Sequence, residues 1–152
     1  MIEKQYSKDE THVKQKLSVK IDADKKEIFH YLATTEGISL WFPQLSIEDK
    51  LVLFDMGDGI FEKMQLLDYK TDDHISYEWA TGQIEFRLES ATDGTQLILE
   101  ETLPVDFAAI PEDFTGWFVQ MQNIKSVAEK GSSATINREE ILAVKEEIKT
   151  QI

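Results

Sequence analysis

The chain has no cysteine among its 152 residues. That excludes disulfide frameworks, thiolate nucleophiles and cysteine-based metal or iron–sulfur centres. Histidine is scarce: the 3 copies, His12, His30 and His74, fall at a strand start, on a helix and in a turn. None has the helical His-Glu-x-x-His spacing of a zinc site, so no metal and no cofactor are expected. Basic residues are few, with 16 Lys and Arg against 29 Asp and Glu and a formal net charge of −13. A chain short of cations is poorly suited to track phosphates or to dock on anionic bilayers, so neither nucleic acid nor membrane is an expected partner. No apolar run approaches the length of a membrane-spanning helix, and Met1–Glu10 has no apolar core of a secretory signal. A cytoplasmic location is the expectation. Phosphate-cradling glycine loops and Gly-x-Ser-x-Gly elbows are also missing, and no catalytic residue set is assigned.

What the sequence does contain is periodicity. Hydrophobic residues make up 41% of the chain, enough for one domain with a real core. Leu17, Val19 and Ile21 alternate with Lys16, Ser18 and Lys20, which predicts a half-buried strand. Asp24 with Glu27 forms a capping-box pattern ahead of Ile28, Phe29, Tyr31 and Leu32, a short helix. Ile38, Leu40, Trp41 and Phe42 suggest a second one, stopped by Pro43. From Leu45 to Thr102 alternating segments are separated by Met56–Gly59, Thr71–Asp73, Thr81–Gly82 and Thr92–Gly94, the pattern of an antiparallel meander. Pro104 closes it. From Pro111 to Lys130, Phe114, Trp117, Phe118, Met121, Ile124 and Val127 recur at three- and four-residue steps, so a long helix must bury that face before Gly131 ends it. Asn137 and Glu140 open a last helix with a narrow stripe of Ile141, Val144, Ile148 and Ile152. The expected organisation is a flexible N-terminus over 1–11, a domain over 12–131, and an additional helix within 132–152.

This succession resembles the helix-grip fold of the START-like (SRPBCC, Bet v 1-like) superfamily, and within it the branch related to the C-terminal domain of the activator of Hsp90 ATPase. The resemblance is carried by Val19–Phe29, by the Trp41-Phe42 pair, by Ile75-Ser76-Tyr77-Glu78-Trp79, by Asp93–Glu101 with its "GT-x-L-x-L" pattern, and by Gly116-Trp117. It spans about residues 12–130. It implies an α+β fold: a curved antiparallel sheet wrapped around a long C-terminal helix, with two short helices after the first strand. Two departures stand out. Glu101 occupies a place where that branch often has histidine, and the helix over 137–152 lies outside the usual domain.

Trp41, Trp79, Phe86, Leu99, Glu101, Trp117 and Met121 are expected to face the space between long helix and sheet. Two readings are open there: a packed core, or a cavity with an aromatic wall that binds a small hydrophobic or amphipathic molecule. Glu101 shares a face with Leu97 and Leu99. It is either a polar anchor inside the gap or a solvated strand end, the second being the simpler expectation. The resemblance also implies a protein-interaction role, co-chaperone-like or in stress response, with a chaperone or another protein as partner. The last helix docks on its own domain in the simplest expectation; otherwise it offers a route to a homodimer or to another partner. Some superfamily members are cyclases or hydrolases that use cavity carboxylates. Here Glu101 has no visible acidic partner, so enzymatic activity is not the leading expectation.

Overall fold

A computed structural model describes all 152 residues. The elements are β1 (Glu3–Lys8), β2 (His12–Ile21), α1 (Lys25–Ala33), α2 (Thr35–Ile38), β3 (Leu45–Glu48), β4 (Leu51–Gly57), β5 (Ile60–Lys70), β6 (His74–Trp79), β7 (Gly82–Ala91), β8 (Gly94–Pro104), α3 (Ile110–Lys130) and α4 (Arg138–Gln151). All eight strands join one antiparallel sheet in the order β1-β2-β8-β7-β6-β5-β4-β3. Strands β3 to β8 form the meander that the turn signals predict, and β8 returns to pair with β2. The long helix α3 lies across the concave face. This is the α+β helix grip expected from the order of elements.

Alternation decides which side of the sheet is buried. On β8, Leu97, Leu99, Glu101 and Leu103 point inward and are fully buried. Along α3, Phe114, Trp117, Phe118, Met121, Ile124 and Val127 meet them. Helix α3 ends where the sequence predicts: Gly131 takes a left-handed φ of 80°, and its N–H returns to the Val127 carbonyl at 2.9 Å. Few other residues adopt that conformation cheaply. At the front of α1, Asp24 accepts from the Glu27 N–H at 2.8 Å, as a cap should.

Two expectations need correction. Residues 1–11 are not a frayed tail, because β1 pairs with β2 from Glu3↔Ser18 to Lys8↔Val13. Its polar composition conceals an edge strand whose inward side chains, Lys4 and Tyr6, are amphipathic enough to cover apolar surface. The second short helix comes earlier than the apolar cluster suggests. Thr34 caps the Gly37 N–H at 3.0 Å, the helix occupies Thr35–Ile38, and Trp41 and Phe42 lie beyond it. Helix α4 docks on its own domain, the simplest of the arrangements open to it. Val144 and Ile148 are buried in it, Gln122 donates to Glu140 at 2.6 Å, and Lys4 pairs with Glu147 at 2.9 Å. No helix is long and apolar enough to cross a membrane.

Candidate functional site

The predicted residues converge under the first half of α3. Helical spacing stacks Asp113, Trp117 and Met121 along one stripe of α3. Strand alternation raises Phe86, Leu99 and Glu101 toward it from the sheet. Trp41 enters from the segment after α2, and its indole N–H is anchored on the Tyr31 carbonyl at 2.8 Å. Trp117 is the hub of the aromatic cluster. Its ring lies 4.9 Å from Trp79, 5.8 Å from Phe42, 5.9 Å from Phe86 and 6.4 Å from Trp41, at tilted to edge-on angles. Phe54 closes the cluster against Phe42 and Trp79. Each such pair adds about 0.5–1.5 kcal/mol beyond its area burial. The inner members pack tightly on one another: Trp41, Phe86, Leu99, Trp117 and Met121 are all nearly or fully buried.

Glu101 departs from the simpler expectation. It is not a solvated strand end but completely buried. It belongs to a row that crosses the sheet: Tyr6 stands opposite Gln15, Gln15 opposite Glu101, Glu101 opposite Ile84, and Ile84 opposite Tyr77. Gln15 Nε2 donates to Glu101 Oε1 at 3.3 Å and to the Phe114 carbonyl at 3.2 Å. The second acid, which the sequence did not reveal, is Asp113. Its Oδ2 accepts from the Trp79 indole N–H at 2.9 Å. Its Oδ1 and Glu101 Oε2 are buried and find no other partner. A proton on Glu101 donated to Asp113 satisfies both atoms at once. Burial, and after it the hydrogen bond and charge of Asp113, hold the Glu101 carboxyl well above the usual carboxylate range, with Gln15 opposing. Burial, with Glu101 nearby, also raises the Tyr77 phenol. Burial and the charge of Glu147 push Tyr6 up to about 12.

The acid pair lies behind a surface pocket of 220 Å³, lined by Phe54, Met56, Glu62, Met64, Trp79, Ala80, Phe107 and Asp113. Phe107 is supplied by the β8–α3 connection, Asp113 by α3, Ala80 by the β6–β7 turn, and the remaining walls by β4, β5 and β6. The largest concavity lies elsewhere. A groove of 630 Å³ runs between α3, β1 and α4, over Phe118, Val19 and Val144, with Lys4, Lys125 and Lys130 among its walls. Two of those lysines are already paired, with Glu147 and Glu129. A further hollow of 470 Å³ over β1, β2 and β8 also reaches Glu101, but only one of its lining residues is hydrophobic. The 220 Å³ pocket is the better candidate, because its walls are mostly apolar and Asp113 opens onto it. His74, by contrast, is held between Asp73 and Asp68 at 2.7 and 2.9 Å on the outside of the sheet, away from the pocket.

The structure thus brings all seven predicted residues into one region and adds Asp113, Gln15, Tyr77, Phe42, Phe54 and Phe107. A signal existed for four of these. Gln15 and Tyr77 occupy inward positions in the alternations Val13–Gln15–Leu17 and Ile75–Tyr77–Trp79. Asp113 stands one turn before Trp117 on the same face of α3. Phe42 adjoins Trp41 in sequence. Phe54 and Phe107 gave none: Phe54 lies mid-strand in β4, where Leu51, Val52, Leu53 and Phe54 run without alternation, and Phe107 lies in the connection between β8 and α3.

No protein-family model and no curated protein matches the chain. Solved structures do. The chain is similar to EF2215, a conserved protein of unknown function from Enterococcus faecalis, at 26% identity and a TM-score of 0.88, over 99% of this chain and 92% of that one. It is similar to the Aha1 dimer from Colwellia psychrerythraea at 17% identity and a TM-score of 0.66, over 76% and 96%. CalU16 from Micromonospora echinospora gives 16% identity and a TM-score of 0.71, over 96% and 92%. These likenesses establish the fold, the helix grip that the chain shares with the Aha1 and CalU16 structures.

Proposed function

We propose that the domain binds a small hydrophobic or amphipathic molecule where the sheet and the start of α3 part. The observation that carries this reading is the 220 Å³ pocket itself, six of whose eight lining residues are hydrophobic and whose polar walls are Asp113 and Glu62. Apolar walls supply burial, and a few convergent polar groups supply orientation. Trp79 and Phe54 form the inner wall. Trp41, Phe86, Leu99, Trp117 and Met121 hold that wall in place from behind, and Glu101 fixes Asp113. A larger ligand enters the aromatic cluster by displacing Trp79 from Trp117.

The test is a heteronuclear NMR titration with a neutral aromatic alcohol such as benzyl alcohol. Saturable shifts of the Trp79 indole N–H and the Met64 methyl, with the groove around Phe118 and Lys125 unmoved, are the expected result. Shifts confined to the groove, or none that saturate, defeat the reading.

A second reading, a protein-interaction module, is favoured by one observation. The β4–β5 hairpin beside the pocket exposes Met56, Ile60 and Phe61, at 58%, 64% and 48%. Contiguous exposed apolar residues commonly mark a docking surface. The Aha1 likeness makes a chaperone the partner to test. A host Hsp90 homologue that neither binds the domain nor changes its ATPase rate removes that form of the reading.

A further inference from the structure

We infer that the pocket beside Asp113 selects for positive charge, and that its ligand carries an alkylammonium or arylammonium group. This rests on the pocket reading above and adds the sign of the ligand's charge.

The inference follows from what lines the pocket. Two of its residues, Glu62 and Asp113, are acids, and none is Lys, Arg or His. Neither acid takes part in an ion pair anywhere in the protein, although eight such pairs occur elsewhere. Three aromatic rings, Phe54, Trp79 and Phe107, and the thioethers of Met56 and Met64 complete the wall. The negative face of an aromatic ring attracts an ammonium group, and Trp does so best. An anion would meet two carboxylates with no compensating donor. A neutral molecule would gain burial but leave both acids unanswered. The groove under α4 provides the contrast, since Lys4, Lys125 and Lys130 are among its walls. The overall charge of −13 works in the same direction, because a negative field raises the local concentration of cations.

Asp113 is a well-supported anchor. Its Oδ2 is fixed by the Trp79 indole at 2.9 Å, so ring and carboxylate are presented to a ligand as one rigid unit. Glu101 stands behind it, and its buried Oε2 and Asp113 Oδ1 have no other partner. Glu62 lies on the solvent side of the pocket, on β5, where it completes the charge without a structural task.

Three probes of one shape and different charge decide the matter: choline, 3,3-dimethylbutan-1-ol and 3,3-dimethylbutanoate. Each is titrated into the isotope-labelled full chain, with the Trp79 indole N–H as reporter. Choline is expected to bind about tenfold tighter than the alcohol, in line with the worth of a partly desolvated cation–π contact. The alkanoate is expected not to saturate. Added salt should weaken choline and leave the alcohol unchanged. Glu62→Gln, at an exposed position that leaves the core intact, should weaken choline several-fold and spare the alcohol. Equal affinity for choline and alcohol overturns the charge inference while leaving the pocket reading standing. A Trp79 signal that no probe moves overturns both.

Discussion

Replacing Glu101 with glutamine tests the proton on the buried acid pair. In an unfolded chain a glutamate gives up its proton near about pH 4.3. In the fold, burial and Asp113 hold that proton to a much higher pH. Between the two values the native state binds one proton more than the unfolded state. Stability must then fall as pH rises, by up to about 1.4 kcal/mol per pH unit. The contribution of Glu101 is fully present below the unfolded value and is lost as pH climbs through the folded one. This is the reverse of the usual salt-bridged carboxylate. Glutamine at this position keeps an oxygen for Gln15 and an N–H for Asp113, and does not titrate. Urea unfolding of both proteins, followed by tryptophan fluorescence at several values from about pH 4 to pH 7, isolates the effect, because titrations common to both cancel in the difference. The stability gap should move in favour of Glu101→Gln as pH rises above the unfolded value, with a slope of up to about 1.4 kcal/mol per unit. Parallel curves with a constant offset would refute the assignment of the proton to Glu101.

Other substitutions probe the frame around the site. Trp117→Ala removes the hub of the aromatic cluster and should cost about 3–5 kcal/mol in denaturant unfolding. Gly82→Ala places a Cβ against the Thr102 carbonyl, and 2.7 Å from Leu103 Cδ2, where β7 meets β8. It should cost about 1–3 kcal/mol, with backbone shifts at Thr102 and Leu103 visible by NMR. Asn137→Ala removes the side chain that caps the Glu140 N–H at 3.2 Å, and should cost about 1 kcal/mol with faster amide exchange confined to the start of α4. Ile148→Ala opens a hole at a fully buried contact of α4. A loss of about 2–4 kcal/mol is expected in global unfolding. A loss near zero would show α4 to be peripheral.

The periodic parts of the fold were legible because their residues state where they must point. A strand with apolar residues at every second position has one face to bury. A helix with Phe114, Trp117, Phe118 and Met121 in its first turns has one stripe to bury, and the turns between strands left antiparallel pairing as the arrangement. The cap at Asp24 and the stop at Gly131 were equally local, since each rests on hydrogen bonds within a few residues. β1 was hidden for a physical reason as well. An edge strand with a polar composition is stabilised by its partner's backbone, and that pairing leaves no hydrophobic signature.

The candidate site was legible only by halves. Sequence alone determined that Trp79, Phe86, Leu99, Glu101, Trp117 and Met121 face the same gap, because alternation and helical spacing are properties of single elements. It could not determine that Glu101 is buried rather than solvated, since that depends on how far α3 reaches over the end of β8. Nor could it bring Asp113 to Glu101 across twelve positions, or Gln15 and Tyr77 into the same cross-strand row. Those meetings follow from sheet order and from the angle at which α3 crosses the sheet. Tertiary structure alone therefore turned one isolated carboxyl into one of two neighbouring acids behind an aromatic pocket. The reason is that a carboxyl group's charge state is set by everything packed around it, and most of its neighbours here arrive from other parts of the chain.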